Sequence, residues 1–110
     1  MIDLNRMKVA LEGATAAPFA LYGWRQTPDA PAWGVVTQTG EAGAIWSDDQ
    51  QEAQALRGYV SLFCRQLGSL KDTVQGVLNA LGVCWRFEAE DYEDDKQLLH
   101  YTWRWEEWGD

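Results

Sequence analysis

Residues 88–95, EAEDYEDD, place six carboxylates in eight positions. Such a cluster is open to acid–base catalysis, to metal binding, or to imitation of a nucleic-acid backbone. Paired carboxylates act as acid and base only when one of them is desolvated in a pocket. Here Glu90, Asp91, Glu93, Asp94 and Asp95 flank a predicted turn, EDDK, where water keeps them all ionised. A calcium loop alternates oxygen ligands around a central glycine, and this stretch contains no glycine. The cluster therefore reads as a solvated hairpin tip that resists edge-to-edge aggregation, or as a charged contact surface formed by Asp91, Glu93, Asp94 and Asp95.

The other reactive groups are few. Cys64 and Cys84 each fall inside a β-like run and read as buried free thiols behaving as small apolar residues. His100 is the one histidine of the chain. It gives a metal site too few partners and identifies no serine or thiol that it would activate. It is expected on a strand face. No catalytic residue, metal ligand or cofactor is predicted, and the chain is read as a non-enzyme.

Composition narrows the partners. The formal net charge of −8 disfavours a nucleic-acid binder and an anionic membrane surface, both of which call for basic patches. A DNA mimic is the natural competitor, but a mimic spreads its carboxylates over one broad face, whereas this chain concentrates them in one turn. No apolar run approaches a membrane span or a signal-peptide core, and the amphipathic start MIDLNRMKVALEGA suggests a protein made and kept in the cytoplasm.

The elements that must carry these residues fit one domain over residues 1–110. Asp3 can cap a first helix with Leu4, Met7 and Leu11 on one face, ending near Gly13. APFALYGWRQTP reads as a first strand. WGVVTQTG and AGAIWS form a second extended region with a turn or bulge at Gly40 and Gly43. ALRGYVSLFCR follows as a strong strand, with Val60, Leu62 and Cys64 on one side and Tyr59, Ser61 and Phe63 on the other. Ser69 and Asp72 suggest a capping-box start for a second helix. Its apolar stripe is Leu70, Val74, Val77, Leu78 and Leu81, and Gly82 supplies the left-handed end. VCWRFEAEDY and QLLHYTWRWEEW close the chain as a β-hairpin. The expected fold is α+β: an antiparallel sheet of four to five strands with the N-terminal and second helices packed on one face.

In HYTWRWEEW, alternation puts Tyr101, Trp103 and Trp105 on one face and His100, Thr102, Arg104 and Glu106 on the other. Three neighbouring rings are too much apolar surface to leave wet, so that face belongs to the core. The chain has seven tryptophans, more than one core row accommodates. Trp33 and Trp46 fall in predicted loops, where exposed rings suggest subunit contacts.

The run from GYVSLFCR through LKDTVQGVLNALGVCW to AEDYEDDKQLLHYTWRW resembles the small tail-terminator (tail-completion) proteins of long-tailed bacteriophages. The matching positions are Tyr59, Val60, Leu62 and Phe63 in a strand, then Gly82, Val83 and Trp85 after a helix. Glu90, Tyr92 and Glu93 match an acidic segment, and Tyr101, Trp103 and Trp105 an aromatic last strand. PFALYGW is similar to the family's first strand, and TPDAPAWG and Gly40 to Trp46 depart from its pattern. The resemblance implies an antiparallel sheet flanked by helices and a homo-oligomeric ring, typically of six subunits. The ring would sit in the virion neck, touching the tail tube protein and the head–tail connector proteins and letting genomic DNA pass without sequence-specific binding. A neighbouring connector or neck protein and an acidic DNA-mimic inhibitor are the alternatives.

Overall fold

The structure is a computed structural model; it describes residues 3–24, 28–47, 50–65, 68–94 and 97–109. The elements run α1 (Leu4–Thr15), β1 (Phe19–Leu21), β2 (Ala32–Ser47), β3 (Gln50–Cys64), α2 (Leu70–Leu81), β4 (Cys84–Glu93) and β5 (Leu98–Gly109). The five strands form one sheet in the order β1-β2-β3-β5-β4. Met7 and Leu11 of α1 and Val74 and Leu78 of α2 share one core cluster with Val36, Val60, Leu62, Tyr101, Trp103 and Trp105. Both helices thus cover one face of the sheet, and the α+β architecture is the expected one.

Asp3 caps α1, its Oδ1 accepting the Asn5 N–H at 2.9 Å, which satisfies one of the donors that a helix start leaves without a partner. The helix runs past the expected stop at Gly13 to Thr15 and ends on Ala16 in the left-handed conformation, whose N–H returns to the Glu12 carbonyl. Glu12 then fixes the exit. Its carboxylate accepts from Lys8 Nζ at 2.9 Å and from the Phe19 N–H at 3.1 Å, and these donors hold its pKa below the usual range.

The first strand departs from expectation. Among its described residues only Phe19–Leu21 forms a strand, and it pairs parallel with β2, so the sheet is mixed rather than wholly antiparallel. The cause is a fit between distant residues. Phe19 stands opposite Gly34, and any Cβ at Gly34 would collide with the Phe19 ring. The Gly34 N–H donates to the Pro18 carbonyl and the Tyr22 N–H to the Val36 carbonyl. Tyr22 at φ 74° then turns the chain away.

β2 and β3 form one long hairpin. The Gly40 to Gly43 region is bulged rather than turned, with register shifts between Gln38 and Gly40, between Glu41 and Gly43, and between Ile45 and Trp46. The predicted alternation of β3 holds, with Val60, Leu62 and Cys64 buried. Beneath it, Gly58 leaves room where a side chain would run into the Thr37 carbonyl and the Trp105 ring.

α2 spans the predicted residues and ends on Gly82 at φ 79°. Val74 and Leu78 are fully buried, and Leu70, Val77 and Leu81 pack against them. The capping box is not formed: the Ser69 side chain makes no capping bond. Its ψ of 7° departs from the extended backbone typical of a capping residue. Thr73 Oγ1 donates to the Ser69 carbonyl instead.

β4 and β5 pair as the predicted hairpin. Tyr101, Trp103 and Trp105 are all buried. A buried tryptophan removes about 150–250 Å² from water, worth about 4–6 kcal/mol as an upper estimate, so this row dominates the core. The indoles differ in one respect. Trp103 Nε1 donates to Gln75 Oε1 at 3.1 Å, whereas the buried Trp105 Nε1 meets no acceptor among the described residues.

Candidate interaction surface

The acidic residues collect at one end of the β4–β5 hairpin. Asp91 and Glu93 end β4 and Asp94 follows in the turn, where the Gln97 N–H reaches back to the Asp94 carbonyl. Asp91 and Asp94 are exposed; Asp95 lies outside the described residues. Glu90 points to the helix-covered side, 3.9 Å from Lys71 Nζ. That ammonium also lies over the Phe87 ring at 4.2 Å.

On the sheet face without helical cover, one cross-strand row begins at this acidic end. Asp91 of β4 stands opposite His100 of β5, His100 opposite Phe63 of β3, and Phe63 opposite Trp33 of β2. The rings of Trp33 and Phe63 stack at 5.5 Å, and those of Phe63 and His100 at 4.2 Å. The Arg65 guanidinium lies 5.2 Å from the Trp33 ring. Trp33 is therefore a buried strand residue, 4% exposed, and not the loop ring expected. Its partners are remote in sequence, so no local signal places it. Trp46 is likewise in β2, opposite Gln51, and its side chain lies outside the described residues. Burial lowers the pKa of His100, opposed by the charges of Asp91 and Glu93.

The far end of the same face carries the opposite charge. Arg86 of β4 stands directly opposite Arg104 of β5, and Arg57 of β3 stands opposite Glu106. Glu88, the extra residue of a bulge between Phe87 and Ala89, lies between the two facing guanidiniums. Its Oε1 is 2.8 Å from Arg86 Nη2 and 4.0 Å from Arg104 Nη1. Cys84, Trp85, Arg86, Arg104 and Glu106 line an open cavity of about 270 Å³. Sequence reasoning puts Arg104 and Glu106 on this face but misses the patch. Strand parity would put Arg57 and Arg86 on the same face, but the register of β3, β5 and β4 is what brings the arginines together.

No family model matches the chain, and no curated protein matches it significantly. The chemistry of the surface must be read from its own groups. Cys84 is exposed, but its cross-strand partner Glu106 is six residues along β5 from His100, about 20 Å at 3.3 Å per residue. Cys64 is buried, and burial pushes its thiol pKa up, away from the reactive thiolate. Among the described residues no three His, Cys, Asp or Glu side chains gather as a metal site, and no helix is long and apolar enough to cross a membrane. A second hollow of about 420 Å³ between the end of α1 and the start of α2 is lined by small residues, among them Ala16, Ala17, Ala30 and Ala32. What the sheet face offers is charge, separated into two poles, and a stacked aromatic row beside the acidic one.

Proposed function

We propose that this chain is a non-enzymatic assembly subunit, a tail-terminator-like protein that forms a ring at the head–tail junction of a long-tailed phage. The observation that carries this reading is the sheet face without helical cover, which sets an arginine patch and an acidic hairpin end on one side of a rigid α+β body. Separated charge on a rigid sheet serves docking, whereas catalysis requires reactive groups gathered within hydrogen-bond reach. The resemblance of residues 18–106 to tail-terminator proteins supplies the kind of assembly. A neck or connector protein would use the same surface toward different neighbours. The DNA-mimic reading is weaker, because Arg57, Arg86 and Arg104 interrupt the negative face that a mimic requires.

The test is the oligomeric state across ionic strength, read by size-exclusion chromatography with light scattering. Each subunit carries −8, and at about 0.01 M salt the Debye length of ~30 Å spans most of the molecule. At physiological strength it falls to about 8 Å, well inside the molecular dimensions of 53 × 25 × 23 Å. The expected result is a monomer in dilute low-salt buffer and a closed oligomer as salt and concentration rise. A chain that stays monomeric at millimolar concentration and half-molar salt, even with tail tubes added, refutes the ring.

A further inference from the structure

We infer that successive subunits join head to tail, the acidic β4–β5 hairpin end of one copy seating on the Arg57–Arg86–Arg104 patch of the next. This inference rests on the assembly reading above and names the contact within it.

The arginine patch carries a local cost. Arg86 and Arg104 face each other directly across β4 and β5, and like charges in that position destabilise a sheet. One carboxylate, Glu88, stands between them. With Arg57 and Glu106 included, three arginines meet two glutamates among the described groups of this face, one positive charge in excess on a chain whose total is −8. The open cavity beside it is bordered by both facing arginines, and the planar fork of a guanidinium matches a carboxylate in geometry. The surface is built to take one more anion of carboxylate type.

The chain itself carries the fitting anion. Asp91 and Asp94 are exposed at the far end of the same hairpin, beside Glu93. Arg86 and Asp94 are eight residues apart along one hairpin, about 26 Å at 3.3 Å per residue. A rigid, paired strand cannot fold back over that distance, so the two poles cannot meet within one molecule. They can meet between two, where a paired and partly buried contact is screened by salt much less than the long-range repulsion between chains of −8. When each copy gives its tip to one neighbour and its patch to another, the contact is heterologous, and it forms a ring where the rotation closes. A reciprocal pair, each tip on the other's patch, would stop at a dimer, which sedimentation distinguishes from a ring. Two-fold pairing through one patch would instead bring arginine to arginine.

Charge exchange tests the contact. One variant reverses the patch (Arg86→Glu with Arg104→Glu) and the other reverses the tip (Asp91→Arg with Asp94→Arg). Both are checked for a native melting transition, and self-association is followed by sedimentation. Each variant alone should associate at least about tenfold more weakly than the wild type, the loss expected for close interfacial charge pairs. An equimolar mixture should recover association, because native tip meets native patch and reversed tip meets reversed patch. Full assembly by the patch variant, or a mixture no better than its parts, overturns the contact while leaving the ring itself standing. The patch would then belong to some other anionic partner. A wild-type chain that never associates removes both the ring and the contact.

Discussion

Trp103 and Trp105 are neighbours on one strand face, both essentially inaccessible to water, and they differ in a single hydrogen bond. That makes them a matched pair. Replacing either by phenylalanine deletes the same ring atoms and leaves a similar void, so the packing penalties nearly cancel in the difference. At Trp103 the substitution also removes the donor to Gln75 Oε1; a lost neutral hydrogen bond costs about 0.5–1.5 kcal/mol. At Trp105 it removes an indole N–H that has no acceptor among the described residues, relieving a desolvation penalty of about 1–3 kcal/mol. Trp103→Phe should therefore be the more destabilising by about 2–4 kcal/mol, a gap of about 8–16 °C in melting temperature for a domain of this size. Urea and thermal melts of both variants measure it, and equal m-values confirm that the same surface unfolds. Equal losses, or a larger one for Trp105→Phe, refute the reasoning and mean that the Trp105 N–H is satisfied.

Leu78→Ala, which empties a fully buried position of α2, should cost about 2–5 kcal/mol in chemical denaturation; parental stability would mean that this helix is peripheral. His100 should titrate below the ordinary histidine range, because burial outweighs the pull of Asp91 and Glu93. The protonated ring favours the unfolded chain. Stability from this group is therefore full above its unfolded pKa and lost as pH falls through the folded one. The ring proton signal of this sole histidine checks it by NMR, and Asp91→Asn should move the midpoint further down. Asp94→Lys with Asp95→Lys should leave the melting temperature within about 2 °C, since Asp94 is exposed in the turn and such surface changes move stability little. If the proposed tail-terminator role holds, a phage complemented with this variant should be impaired in head–tail joining or DNA ejection and lose titre; a normal titre means the acidic turn serves solubility alone.

What the sequence disclosed follows the reach of each signal. The α2 stripe and the β5 alternation are local periodicities, and Leu78, Trp103 and Trp105 sit where those periods put them. The carboxylates of Asp91, Glu93 and Asp94 fall within four residues, so their place at a hairpin end was also legible. The parallel pairing of β1 was not, because it depends on Phe19 finding the bare Gly34 across an intervening loop. Trp33 was misplaced for a similar reason: Phe63 and Arg65 hold it, and neither is near it in the chain. The arginine patch needed the register of three strands at once. Arg57, Arg86 and Arg104 are scattered residues until β5 aligns with β3 and β4.

The position of β5 in the sheet has a consequence in time. Although it is the last strand of the seven elements, it lies between β3 and β4 and brings Tyr101, Trp103 and Trp105 into the core. While the chain is being synthesised, β3 and β4 have no strand to bridge them, and the apolar faces of α1 and α2 have no aromatic floor to settle on. Elements already made must wait, with hydrophobic surface in water, for residues 98–105 to arrive. A product cut short before that point lacks the middle of its sheet and cannot assume the fold. A truncated chain brings neither the hairpin end nor the arginine patch into register; under the assembly proposed above, only chains read to the end of β5 would then be competent to join a ring.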